Sequence, residues 1–502
     1  MAQTTSGRGP AQRSAAGSSR ASTAGTPRAK TPAARTTTGS TPSGSRPATG
    51  ARSTTTAATG LPTKGGTTRR TRTPRPRPRP ARTASSERAW LGQWDSAVTS
   101  YYLLVGATTL LAIIGLVMVL SSSAITEIAA GKSPYGAFLT QAQYALIGLP
   151  VLLVASRLPT RVYRHGAWPL IIFSLCLQLM IFSPLGHEVN GNLNWINFGS
   201  FFVQPSEPAK LALAIWLGVV LGRKQHLLGS WKHAIVPAVP GALLVMGLVL
   251  AGHDLGTMLV ILILVAGAFF VAGVDWRLLA LAGATAAVVV VVGFVAMQQN
   301  ANRMNRFLAT YTNVCDTSDA NAGSSVCYQT VHGLWALGTG GFGGVGLGAS
   351  REKWSYLPEA HNDFIFSVIG EELGLLGTLL VLALFAVLGL AMSRVIRRHP
   401  DPFVKITTAG IACWIVGQAF INIGVVIGVI PVIGVPLPLV SSGGSALITT
   451  MAALGVVISF ARNEPGAKEA FAARGSVVRK SLAVVGQAGR RALPGRRRAQ
   501  AR

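Results

Sequence analysis

Between Tyr101 and Arg462 the chain carries ten runs of about twenty apolar residues, near 101–123, 138–157, 168–184, 205–222, 234–252, 255–273, 278–297, 363–391, 403–429 and 445–461. Runs of that length match the hydrocarbon thickness of a bilayer, where a backbone must satisfy its own hydrogen bonds. Few folds remain open to such a chain. The expectation is an all-α integral membrane protein with about ten transmembrane helices. Composition agrees, since 12% of residues are charged against about 25% in an ordinary soluble protein.

The connectors give an orientation. Arg157, Arg161 and Arg164 follow the second run, Arg223, Lys224 and Lys232 the fourth, and Arg277 the sixth. Arg394, Arg397, Arg398 and Lys405 follow the eighth, and Arg462 closes the tenth. The alternate short connectors are nearly free of Lys and Arg. Positive residues stay cytoplasmic, so both termini are expected inside and the long connector 298–362 outside. The formal net charge of +28 sits mostly in two tails. Residues 1–98 form a Pro/Ser/Thr-rich basic stretch without periodicity, expected to be disordered, and 463–502 form a second basic tail; the membrane domain is 99–462. Neither tail interleaves aromatic side chains with its charge, which argues against nucleic acid and for the anionic inner leaflet as partner. The first apolar run is long enough to stay as an anchor, so no cleaved secretory signal is expected. Cys176 and Cys413 lie inside apolar runs. Cys315 and Cys327 lie in the long connector, where an extracytoplasmic setting makes a disulfide natural.

Polar chemistry gathers on the outer side of this topology. In GHEVNGNLNWINFGSFFVQPSEPAK, Gly186–Lys210, turn-rich stretches frame a strand-like aromatic piece before Gln204, Pro205 and Ser206 open the fourth run. Glu207 and Lys210 share a helix face; they form either an intramembrane ion pair or a lysine aimed at an anionic group. In GHDLGT, Gly252–Thr257, Asp254 either caps the sixth helix or adds to an outward polar pocket. Seven glycines between Gly338 and Gly348 precede Arg351 and Lys353; without GxxxxGK[ST] they are not a P-loop. Arg303 and Arg306 stand earlier in the same connector. Outside basic residues run against the orientation rule, and binding a phosphate would explain them. In YLPEAHNDFIFSVIGEELGLLG, Tyr356–Gly377, Asp363 stands at the start of the eighth run, where either Asn362 or Asp363 could cap the helix. Glu371 and Glu372 lie inside the run, where a carboxylate costs roughly 2.5 kcal/mol or more at the bilayer centre. At least one of them is expected to pair with a neighbour. PLPLVSSGGSALITT, Pro436–Thr450, breaks the entry to the last run with small residues, for tight packing or a lipid-chain groove.

Taken together, QPSEPAK, GHDLGT, GTGGFGGVGLG, PEAHNDFIFSVIGEELGLLG and PLVSSGGS resemble, in order over Tyr101–Arg462, the SEDS family, the FtsW/RodA peptidoglycan glycosyltransferases. The HNDFIF form and the basic N-terminal tail are more similar to the division branch, FtsW, than to the elongation branch, RodA. The resemblance implies an enzyme that polymerises lipid II into glycan strands at the outer face of the cytoplasmic membrane, at the division septum, with a class B penicillin-binding protein and other divisome proteins. It implies Asp363 as the essential carboxylate, here a general base, and Glu207 and Lys210 as functionally important. Gln204, Ser206, His361, Asn194, Asp254, Arg351 and Arg303 complete the expected substrate-binding set. Asn194 stands where many members carry Arg, and Ser442 where they often carry Tyr; Arg351 or Arg303 would then supply the missing positive charge. No cofactor is required, and a divalent cation, magnesium or manganese, is left open beside Asp363. The rival readings are a lipid II flippase or other transporter, and an elongation polymerase of the RodA kind. Transporters place binding groups near the midplane on broken, repeated helices, whereas here the polar groups gather at one face.

Overall fold

The computed structural model describes residues 98–284, apart from 190, 198, 200, 201 and 282, and residues 327–471, apart from 355 and 468. The N-terminal tail, Arg303, Cys315 and most of the seventh apolar run lie outside the described residues. The remaining nine runs are helices. In chain order they are α1 (Thr99–Ala129), α2 (Gly136–Arg157), α3 (Thr160–Leu179), α4 (Ser206–Arg223), the pair α5 (Trp231–Ile235) and α6 (Ala238–Ala251), and α7 (Leu255–Ala272). After α8 (Tyr328–Gly340) come α9 (Ile365–Arg398), α10 (Pro402–Val426) and α11 (Gly444–Arg462). Among the described residues, eight spans are long and apolar enough to cross a membrane. The ninth, α4, carries Glu207, Lys210 and Arg223 within 18 residues.

Helix α4 is the centre of the bundle. Nearly every residue from Ser206 to Leu221 is buried, packed against α3, α7 and α10. That is where charged residues can be kept from lipid. The lipid side is read from what stays exposed: Leu146, Leu376 and Phe420 are each more than 60% accessible, which water would not tolerate in a contiguous band but a bilayer would. The basic connectors meet at one end, where Arg164 pairs with Asp401, Arg398 lies 3.8 Å from Glu464, and Arg462 donates to Ser156 O. The expected tail boundary at 463 falls a little early. Phe471 still stacks edge-on to Tyr101, ring centres 5.1 Å apart.

At the opposite end, the strand-like piece expected after Gly186 is a three-stranded antiparallel sheet, β1 (Gly186–Val189), β2 (Asn192–Asn197) and β3 (Phe202–Val203), in the order β1-β2-β3. Leu193 N donates to Gly252 O at 3.0 Å, which ties the sheet to the corner between α6 and α7. The long connector differs from the expectation of plain loop, because Tyr328–Gly340 within it is helical. Its glycines explain why the signal was weak: they end the helix and open a close-packed turn.

That turn serves α9. At about 1.5 Å per residue, 34 helical residues would overrun a bilayer core of about 30 Å, and α9 is broken at Gly374, where φ is 66°. The break frees backbone groups, and the glycine turn satisfies them. Val345 N donates to Glu371 O, Gly346 N to Glu372 O, Leu375 N to Gly341 O and Leu376 N to Phe342 O. A Cβ on Gly374 would sit 2.3 Å from Gly344 N, so no larger residue lets the two segments approach this closely.

Candidate active site

Asp363 lies in the short segment leading into α9, partly exposed at the sheet end of the bundle. Helix α9 starts from Phe364 and takes no side-chain cap, so the capping role left open for Asn362 or Asp363 is not the one adopted. Asn362 instead donates to Glu359 Oε2 at 2.5 Å. Among the described residues no hydrogen bond occupies the Asp363 carboxylate. Its backbone, by contrast, is held residue by residue. Ser442 N donates to His361 O, Ser441 Oγ to Asn362 O, and Asn422 Nδ2 to Asp363 O at 2.7 Å. Gly434 abuts the carboxylate, since a Cβ there would stand 3.5 Å from Asp363 Oδ2.

Burial, then the negative charges of Glu359 and Asp254, push the Asp363 pKa up to about 7. Burial lowers His361, with Glu359 and Glu127 pulling the other way. A carboxylate poised near neutrality can accept a proton and lose it again in each cycle. If Asp363 is the group that must be ionised, the rate should climb with pH up to about 7 and then level. Glu359→Gln removes a neighbouring negative charge, so the acid limb should move to lower pH. The pH dependence of kcat checks it, and an unmoved limb would remove Glu359 from the electrostatics.

Asp254 caps α7, accepting from Thr257 N and from Thr257 Oγ1, each at 2.9 Å. It also accepts from Asn194 Nδ2 at 3.0 Å and Gln204 Nε2 at 3.1 Å. The capping reading holds, and the same carboxylate is the hub joining β2, the entry to α4 and α7. Asn194 serves that hub with an amide. Lys210 and Glu207 form the ion pair, 2.8 Å apart and both about 2–3% exposed. Lys210 also donates to Gln418 Oε1 at 3.2 Å and lies over the Trp414 ring at 4.8 Å. Ser206 is buried with an unpartnered hydroxyl.

Two expected cations part company. Arg351 is exposed, and its backbone N donates to Glu371 Oε1. Lys353 is buried and paired with Glu372 at 2.8 Å, with Ser121 as a further partner. Glu371 accepts from Ser350 Oγ. Both intramembrane glutamates are thus clamps that lock the glycine turn to the broken helix, and charge-assisted bonds offset their burial. Cys327 is disulfide-bonded; its expected partner Cys315 lies outside the described residues. Among the described residues no three His, Cys, Asp or Glu side chains converge to hold a metal ion.

Residues 101–465 match the family model described as "Cell cycle protein", the FtsW/RodA/SpoVE model. The chain belongs to this family. It is similar to the probable peptidoglycan glycosyltransferases FtsW of Mycobacterium bovis, 36% identical over 394 residues with 78% of this chain and 73% of that one covered, and of Geobacter metallireducens, 34% identical over 70% and 92%. Among solved structures it is similar to a chain of a peptidoglycan synthase complex that coordinates polymerization and crosslinking, with a TM-score of 0.57 at 29% identity, covering 72% of this chain and 97% of that one. The rod shape determining protein RodA of Thermus thermophilus gives 0.52 at 28%, with the same coverage. As a multi-pass member of this family, the protein places its uncommitted carboxylate at the bundle end that carries the sheet. Two residues the sequence reading passed over, Gln418 and Asn422, belong to the site. Their signal was present: two amides one turn apart inside an otherwise apolar run.

Proposed function

We infer that this chain is a peptidoglycan glycosyltransferase that extends glycan strands from lipid II during cell division. Asp363 takes the proton from the acceptor saccharide's 4-hydroxyl as that oxygen attacks the donor's anomeric carbon. The bond from that carbon to the lipid pyrophosphate breaks, its electron pair leaving on the pyrophosphate oxygen. Single displacement inverts the anomeric centre. Because pyrophosphate leaves as a stable anion, a second carboxylate acting as an acid is not needed. Positive charge near the departing phosphates stabilises the transition state; Arg351, Lys210 and Arg303 are the residues proposed for it. Gln204, Ser206, His361, Asn194 and Asp254 shape the surrounding polar pocket.

The observation that carries this reading is the Asp363 carboxylate itself, unspent on capping and held near neutrality. The positive-inside pattern of the connectors supports cytoplasmic termini, an outward-facing site and placement in the cytoplasmic membrane. The proposed partner is a class B penicillin-binding protein acting with other divisome proteins at the septum, by analogy with the synthase complex that the fold resembles. The test is one compartment: purified protein in detergent, given lipid II with and without that partner, should yield glycan polymer. A flippase would yield none, because it moves substrate between two sides without joining it.

A further inference from the structure

We propose that Asn422 is the positioning residue for Asp363, fixing the base by holding two backbone carbonyls at once. The inference rests on Asp363 being the base. Asn422 is 1% exposed inside α10. Its Nδ2 donates to Asp363 O at 2.7 Å and to Val435 O at 2.8 Å, which uses both amide protons. Val435 follows Gly434, the residue lying against the Asp363 carboxylate. One side chain therefore staples the base's own residue to the strand that walls it. A flipped amide would set its oxygen against two carbonyl oxygens, so this orientation is the one the neighbours dictate.

Ser441 and Ser442 hold the two preceding carbonyls, but they come from a loop. Among the described residues only Asn422 hydrogen-bonds at Asp363 itself, and it does so from a membrane-spanning helix. One turn earlier, Gln418 accepts from Lys210 Nζ and Trp414 Nε1 and donates to Pro436 O at 2.8 Å. The two amides of α10 thus set the spacing between the buried lysine and the base through adjacent carbonyls, those of Val435 and Pro436. Its Oδ1 is buried with no partner among the described residues, so the side chain works through its donors, and an apolar residue of the same size would leave the carbonyls of Asp363 and Val435 without them. Beyond that pairing the amide provides geometry, and general-base transfer is sensitive to displacements of an ångström.

The test compares Asn422→Leu and Asn422→Ser with Asp363→Asn in the full chain, together with any partner needed for turnover, on lipid II. Rates are taken per monodisperse, folded protein. For Asn422→Leu, kcat should fall about 100-fold, with KM changed less than about threefold because no substrate contact is lost. The pH profile separates positioning from general loosening. Asp363 is faced by Glu359 and His361 from its own loop and by Asp254 from the start of α7, and all three stay in place. A base released from its packing gains water, so the acid limb should move to lower pH; a loss of folded enzyme scales the rate equally at every pH. If the leucine variant does not fold, the serine variant decides, since it keeps the helix but cannot span both carbonyls. A wild-type kcat, or a reduced kcat with an unmoved acid limb, overturns the positioning role while Asp363→Asn remains inactive. An active Asp363→Asn overturns the base assignment instead.

Discussion

Asp363→Asn abolishes strand synthesis, with kcat down by about 10²–10⁴-fold as expected for a lost general base, while the protein stays folded. The two halves of this expectation come from different contacts. The backbone carbonyls of residues 361–363 are held by Ser442, Ser441 and Asn422, none of which touches the side chain that changes. The carboxylate takes no hydrogen bond among the described residues, so an isosteric amide breaks none. Stability supplies an independent check. The Asp363 pKa rises from 3.8 to about 7 on folding, so the folded state binds the proton more tightly than the unfolded one. The resulting stabilisation is complete below about 3.8 and is lost as pH climbs through 7. The asparagine variant carries no such proton. Its unfolding temperature in detergent should therefore depend less on pH across that window, even though its activity is gone. An asparagine variant that still polymerises lipid II at the native rate would end the base assignment.

Much of this was legible in the sequence, for reasons that can be named. Apolar run length located nine helices, because burial in lipid leaves the backbone little alternative, but their ends less well: α3 begins at Thr160 where the run begins near 168, and α9 continues to Arg398 past the run's end near 391. Asp363 stood out because carboxylates are rare against such runs. Glu371 and Glu372 were legible only in part. Their need for a partner followed from cost, but the partners, Lys353, the Ser350 hydroxyl and the Arg351 backbone N–H, lie across the glycine turn, and no local pattern gives that pairing. Helix α8 was hidden for a related reason: its glycines and polar residues read as loop, and it holds its shape by packing against α9. At Asp254 the cap lies within GHDLGT itself, whereas the bonds to Asn194 and Gln204 join segments far apart in the chain and leave no local signal. Lys353, one of the basic residues after the glycine run, is paired with Glu372 across that turn, a partner that no local pattern names.

Lys210→Met carries the second large effect, and it separates the structural from the chemical use of the QPSEPAK lysine. Lys210 and Glu207 are both buried, with the ammonium 2.8 Å from the carboxylate. Removing the cation leaves Glu207 buried without its ion partner, so unfolding in detergent should come about 3–5 kcal/mol more easily, as when any buried pair is broken from one side. Replacing both members, as Glu207→Gln with Lys210→Met, removes the stranded charge and should return most of that stability. Activity is the discriminating measurement. If the pair only ties α4 to α10, the double variant polymerises lipid II at nearly the native rate. If the ammonium also supports the departing pyrophosphate, turnover stays depressed although the fold is restored. The second result is the one expected here. A buried pair is often no more stabilising than well-packed apolar residues, so stability gives little reason for a buried lysine in the second turn of α4. Its other contacts point the same way: Gln418 hydrogen-bonds Lys210 on one side and Pro436 O on the other, one turn from the amide that holds Asp363.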